Sequence, residues 1–99
     1  MSSQSELWNL VRSIPPGRVC GYGALGAALP NRVSGIVVGR WMAQCPEDVP
    51  WWRVVAKNGS LPIEKRSPYL GMDQEQLLRS EGVSFLEGRV NMSQHSWEP

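Results

Sequence analysis

The heptapeptide Val49-Pro50-Trp51-Trp52-Arg53-Val54-Val55 constrains this chain more than any other stretch. Pro50 fixes φ and supplies no N–H, so the chain must enter as a turn or an extended segment. The β-branched pair Val54-Val55 favours a strand. Trp51 and Trp52 are therefore expected at a turn-to-strand junction, where large side chains either line a cavity or complete a core.

The chain has 99 residues, enough for one domain with a modest core, and residues 1–99 are read as a single unit. Met1 to Glu6 is polar and has no basic leader, so no secretory signal is expected. No apolar run approaches the roughly 20 residues of a membrane span. Cys20 and Cys45 have no metal-site spacing, and free thiols in a reducing compartment are expected. His95 is the only histidine, which excludes a multi-histidine metal centre; no cofactor is expected. The net charge is +1, but it is unevenly spread: +3 over residues 1–46, +1 over 47–66 and −3 over 67–99. A basic front and an acidic back suit a protein that turns one face to phosphates, though an ordinary mixed surface would look the same.

Ser5 is the expected N-cap of a first helix, whose stripe is Leu7, Leu10, Val11 and Ile14, with Pro15-Pro16-Gly17 as its stop. Arg18 to Gly23 reads as a short extended piece. Tyr22 to Leu29 reads as a small-residue helix, Pro30-Asn31-Arg32 as a turn, and Ser34 to Gln44 as a second helix. Such a pair is a helix-turn-helix pattern. Its second helix carries Ser34, Gly35, Val37 and Gly39 and lacks long polar side chains for base edges. A smooth helix suits a minor groove, but glycines also serve helix–helix packing. Lys57-Asn58-Gly59 between β-formers predicts a hairpin wing, and Pro62 to Gly71 a loop with the basic pair Lys65-Arg66. Asp73 is the expected cap of a last long helix with Leu77 and Leu78 inward and Gly82 at its end. A second hairpin is expected around Glu87-Gly88, and Trp97 is expected to anchor the tail.

In order and spacing these pieces resemble one family. Ile14-Pro15-Pro16-Gly17-Arg18-Val19 followed by Tyr22-Gly23, then Val38-Gly39, Met42 and Pro46, then Pro50-Trp51-Trp52-Arg53-Val54, then Leu77-Leu78 with Glu81-Gly82, resemble the DNA-binding half of the O6-alkylguanine-DNA alkyltransferases. The string is closer still to the alkyltransferase-like proteins, in which tryptophan often replaces the reactive cysteine. The resemblance implies an α+β, mainly helical, winged-helix-like domain with a helix-turn-helix and small β-hairpins. It implies a pocket for an extruded base walled by Tyr22, Met42, Trp51, Trp52 and Val54. DNA contacts are expected at Arg18, Arg32, Ser34, Gly35, Ile36, Gly39 and Arg40, and lid contacts at Lys65 and Arg66. Trp51 stands in the cysteine slot and Trp52 in the histidine slot. Ile36 stands where the family inserts an arginine into the duplex, and an apolar side chain can also wedge between base steps. Arg32 and Arg40 are the other candidates for that task. Glu81 matches the far end of the family's proton relay and, lacking a histidine, is expected to be a structural acceptor.

Alkyl transfer needs a thiolate and a base, and indoles supply neither. The leading expectation is therefore a non-enzymatic, monomeric sensor of O6-alkylguanine in double-stranded DNA. The family implies hand-off to nucleotide excision repair proteins, with no membrane association. It implies a cytoplasmic, nucleoid-associated location in a bacterium and a nuclear one in a eukaryote. Two other functions compete: a transferase using Cys45 as a displaced nucleophile, and a winged-helix regulator of undamaged DNA.

Overall fold

The computed structural model describes residues 3–62 and 68–99, with backbone alone for 68–70. Helix α1 spans Ser3–Arg12, so Ser5 lies in its first turn and is not its cap. Leu7 and Val11 are fully buried, and Ile14 joins them just past the helix. Pro15-Pro16 ends the element, and Gly17 turns the chain at φ +84°.

Strand β1 (Cys20–Gly21) and strand β2 (Val54–Val55) form a parallel pair, in register Cys20 to Val54 and Gly21 to Val55. The expected wing at Lys57-Asn58-Gly59 does not form a ladder. A tight turn closes there through Gly59 N–H to Ala56 C=O at 2.8 Å and Ala56 N–H to Ser60 C=O at 3.0 Å. The Gly59 carbonyl accepts from Val90 N–H instead, at 3.0 Å. The reason is burial. Val54 and Val55 are both buried, so β2 has no solvated face and pairs inside the protein rather than in an exposed hairpin. Their alternation serves two core clusters. Val54 packs with Leu7, Val11, Leu25 and Val38, while Val55 packs with Val19, Leu61, Leu78 and Val90.

Helix α2 spans Tyr22–Ala28 and α3 spans Gly35–Met42, joined by residues 29–34, a longer connection than the expected turn. Ser34 caps α3, its Oγ accepting from Val37 N–H at 3.3 Å. Glycines let the two helices approach. A Cβ on Gly26 would overlap the Val33 carbonyl, and one on Gly35 would lie 3.1 Å from Gly23 N. Gly39 has open space where its Cβ would be. Residues Trp51–Arg53 form one 3₁₀ turn leading into β2, which confirms the expected junction.

Helix α4 spans Pro68–Ser80. It therefore begins before Asp73, which is not its cap, and takes in part of the expected Pro62–Gly71 loop. Leu78 is fully buried, but Leu77 is exposed. The helix ends as expected: Gly82 has φ +90°, Gly82 N–H reaches Arg79 C=O and Val83 N–H reaches Leu78 C=O, both at 3.0 Å. Strands β3 (Phe85–Leu86) and β4 (Arg89–Val90) form the predicted hairpin, with Glu87 at φ 53° and Gly88 at φ 78°. Helix α5 (Met92–His95) follows. Trp97 then donates its N–H to Val19 C=O at 2.7 Å and packs against the first cluster, anchoring the tail. The result is an α+β fold, mainly helical, with very short strands. No described helix is long and apolar enough to cross a membrane.

Candidate nucleic-acid interface

A cleft of about 1200 Å³ opens beside the helix pair. That exceeds the roughly 300–1,000 Å³ of ordinary small-molecule pockets. The start of α2 contributes Tyr22 and Gly23. Helix α3 contributes Gly35, Ile36, Gly39, Arg40 and Met42, with its cap Ser34. Trp51 forms part of the opposite wall, near Ala56 and Lys57. The parallel ladder holds these walls together: Tyr22 directly follows β1, and Trp51 precedes β2 by one 3₁₀ turn. Ile36 is 72% exposed, an unusual state for a large aliphatic residue on a cleft edge. Arg40 and Lys57 are both exposed and outnumber Glu47 along the lining.

The two adjacent indoles part company. Their rings meet edge to face, with centroids 6.1 Å apart and planes at 86°. Trp51 turns to the cleft, and its indole N–H has no acceptor among the described residues. Trp52 turns away and donates its indole N–H to Glu81 at 3.1 Å. Trp52 and the buried Val54 are therefore not among the described residues that line the cleft, contrary to expectation. A 3₁₀ turn rotates successive side chains by about 120°, so neighbours in it cannot share a wall.

Behind Trp52 lies a compact charged knot. Arg53 donates through Nε and Nη2 to Glu81, at 3.1 and 2.5 Å, and through Nη1 to Ile14 C=O at 2.9 Å. Gly17 N–H also points at Glu81, at 3.4 Å. Desolvation pushes the Glu81 carboxyl up, but the bonds from Arg53, Trp52 and Gly17 outweigh it and hold it below the ordinary glutamate value. Glu81 is thus a structural acceptor.

The thiols are poor nucleophiles here. Burial pushes Cys20 up to about 11. Cys45 borders the cleft, but burial raises it too, and the charge of Asp48 adds to that rise. His95 is engaged elsewhere, with Ser84 at 3.0 Å and the Gly17 carbonyl at 3.2 Å. Among the described residues no group of His, Cys, Asp and Glu could hold a metal.

The DNA-contact expectations divide the same way. Ser34, Gly35, Ile36, Gly39 and Arg40 border the cleft, as do Tyr22, Met42 and Trp51. Arg32 is exposed but outside the lining, and Arg18 spends one N–H on the Gln94 carbonyl at 2.8 Å, away from it. Lys65 and Arg66 lie outside the described residues. Gln74, on α4, was missed: it is 2% exposed and lines the cleft. Its signal was available, since it precedes the buried Leu78 by one helical turn and so shares its inward face.

Comparison with known proteins identifies the family and its fold. Residues 2–83 match the family described as "6-O-methylguanine DNA methyltransferase, DNA binding domain". The "DNA base-flipping protein" of Escherichia coli (strain K12) is 29% identical over 99 residues, spanning 97% of this chain and 74% of that protein. The "Methylated-DNA--protein-cysteine methyltransferase" of Salmonella typhimurium is 38% identical over 87 residues, but only 48% of its length is covered. The crystal structure of S. pombe Atl1 in complex with damaged DNA containing O6-carboxymethylguanine superposes with a TM-score of 0.82 at 26% identity, covering 97% of this chain and 94% of that one. The chain belongs to the family of the 6-O-methylguanine DNA methyltransferase DNA-binding domain.

Proposed function

We propose that this protein recognises O6-alkylguanine in duplex DNA by extruding the damaged base into the cleft, and binds it without taking up the alkyl group. The observation that carries the reading is Trp51 on the cleft wall; the motif resemblance puts it in the slot of the family's reactive cysteine. An indole offers a flat apolar face and one N–H donor, which suits holding an alkylated base, and it has no lone pair able to displace carbon from oxygen. Two likenesses support the reading: the Escherichia coli relative named as a base-flipping protein, and S. pombe Atl1 bound to damaged DNA.

The residues fall into roles on this reading. The smooth face of α3 enters the minor groove, and Ile36 wedges into the stack left by the extruded base. Arg40 and Lys57 meet phosphates. Extrusion costs a few kcal/mol. Each buried CH₂ of the alkyl group returns about 0.8 kcal/mol, so longer alkyl groups bind at least as tightly as methyl. With no turnover, the bound lesion must be passed on, and nucleotide excision repair is the route proposed.

One observation favours a second reading. Cys45 borders the same cleft and could in principle accept an alkyl group. Its raised pKa and the distant engagement of His95 oppose this. Titration of a fluorescent duplex carrying one O6-methylguanine, against the same duplex with guanine, tests the sensor. Intact-protein mass spectrometry after the incubation tests transfer. A clear preference for the lesion with unchanged protein mass is expected. Equal affinity for both duplexes, or a mass gain of one methyl that Cys45→Ala abolishes, would overturn it.

A further inference from the structure

The C-terminal segment, residues 84–97, grips the protein at two places, and each adjoins one wall of the cleft. The first grip is on residues 17–19, which run into β1 and so to Tyr22. Val19 N–H donates to His95 C=O at 2.9 Å, and Val19 C=O accepts from Trp97 N–H at 2.7 Å. Val19 and Ser96 thereby form a parallel bridge, and Arg18 Nη1 donates to Gln94 C=O at 2.8 Å. A two-stranded ladder of two residues is marginal by itself, and the tail gives the segment feeding β1 a second neighbour. The second grip is on the 56–60 turn, beside Ala56 and Lys57 of the other wall. Val90 N–H donates to Gly59 C=O at 3.0 Å, and a Cβ on Gly59 would stand 2.4 Å from the Val90 carbonyl oxygen, so no side chain fits between them. His95 joins the two grips. Ser84 N–H can only donate, so the His95 Nε2 at 3.1 Å accepts, and the ring proton sits on Nδ1, facing Gly17 C=O at 3.2 Å. One neutral imidazole thus ties the foot of the β3–β4 hairpin to the turn that starts β1.

We infer that residues 84–97 are a brace that fixes the spacing between the Tyr22 and Trp51 walls, with His95 as its positioning residue, an inference that rests on the function proposed above. His95 is not among the described residues that line the cleft, so it acts through the backbone it holds. A cleft whose walls stand at a set distance before binding loses less to ordering them when a base enters. Loosening the brace therefore weakens the step that needs both walls, capture of the extruded base. Docking of α3 in the minor groove needs only one wall and is left as it was.

The test compares wild type with His95→Ala and Gly59→Ala, one variant for each end of the brace. Val11→Ala is the control: it opens a cavity in the buried stripe of α1 and cuts none of these bonds. Fluorescence titrations use duplexes carrying one O6-methylguanine or guanine, well below the melting midpoint of every variant. Both brace variants should lower the preference for O6-methylguanine over guanine about fivefold, with binding to the guanine duplex little changed. Val11→Ala should lose Tm and keep the wild-type preference. If Gly59→Ala does not fold, His95→Ala against Val11→Ala decides alone. A wild-type preference in His95→Ala, or an equal loss in Val11→Ala, overturns the brace while leaving the lesion reading intact. No preference in wild type would mean the functional reading has failed, and this inference with it.

Discussion

Replacing Glu81 with glutamine would test the knot behind the paired tryptophans. The carboxylate takes bonds from Trp52, Arg53 and Gly17, and the side chains of Arg53 and Glu81 are only 12% and 15% exposed. Removing one partner of such a buried pair costs about 3–5 kcal/mol, because the other charge is left desolvated. Glutamine keeps one oxygen, and so retains part of the bonding, but turns an NH₂ toward donors. A net loss of about 2–3 kcal/mol follows. For a domain this size that lowers Tm by roughly 10–20 °C. The pH dependence gives the sign. The Glu81 pKa is depressed on folding, so its contribution is fully present above the unfolded glutamate value of about 4.3 and is lost as pH falls through the folded value. Melts followed by circular dichroism between pH 2.5 and 7 should show wild type and Glu81→Gln well apart at neutral pH and converging in acid. At 10 °C and pH 7, where the variant is still folded, it should keep its preference for O6-methylguanine, since Glu81 supports the site without touching it. A Tm drop under about 3 °C, or an equal gap at pH 3 and pH 7, would refute the argument.

Trp51→Ala should abolish the preference for O6-methylguanine over guanine while leaving the domain folded, as the residue is only partly buried; fluorescence titration and melts together check this. Arg40→Gln should weaken binding to both duplexes alike and lower the slope of log K against log salt by about one. Gly26→Ala pits a helix-propensity gain of about 1 kcal/mol against an overlap with the Val33 carbonyl. The clash should win, at a net cost of about 2 kcal/mol seen in denaturant melts, since the obstacle is backbone and cannot swing aside.

What could be read from the residues was local. The α1 stripe, the Glu87-Gly88 hairpin and the Gly82 stop each depend on neighbours a few positions apart, and each formed as expected. The Asn58-Gly59 wing failed because a distant segment, Cys20–Gly21, competes for the same strand and wins by burying it. Leu77 was misassigned to the core because the inward face of α4 runs through Gln74 and Leu78, and Leu77, about 100° round from Leu78, falls outside it. At the cleft, Tyr22, Met42 and Trp51 from the motif fall together on the lining. The motif grouped Trp52 with Trp51 because adjacency in sequence was taken for adjacency on a wall. The spacing to Leu78 marks Gln74 as inward, but the two carbonyls it binds lie twenty or so positions earlier, and no local pattern records them.

The ladder of Cys20–Gly21 with Val54–Val55 is only two residues long, yet it works as a vernier between the cleft's two jaws. A slip of one position would slide Tyr22 past Trp51 by about 3.3 Å, close to the thickness of one stacked base. Val54 and Val55 would then each face the wrong hydrophobic cluster, so the error is expelled by the core before it can reach the cleft. The gauge that sizes the opening is thus kept true by packing on its far side, and evolution can reshape the lining residue by residue without losing calibration.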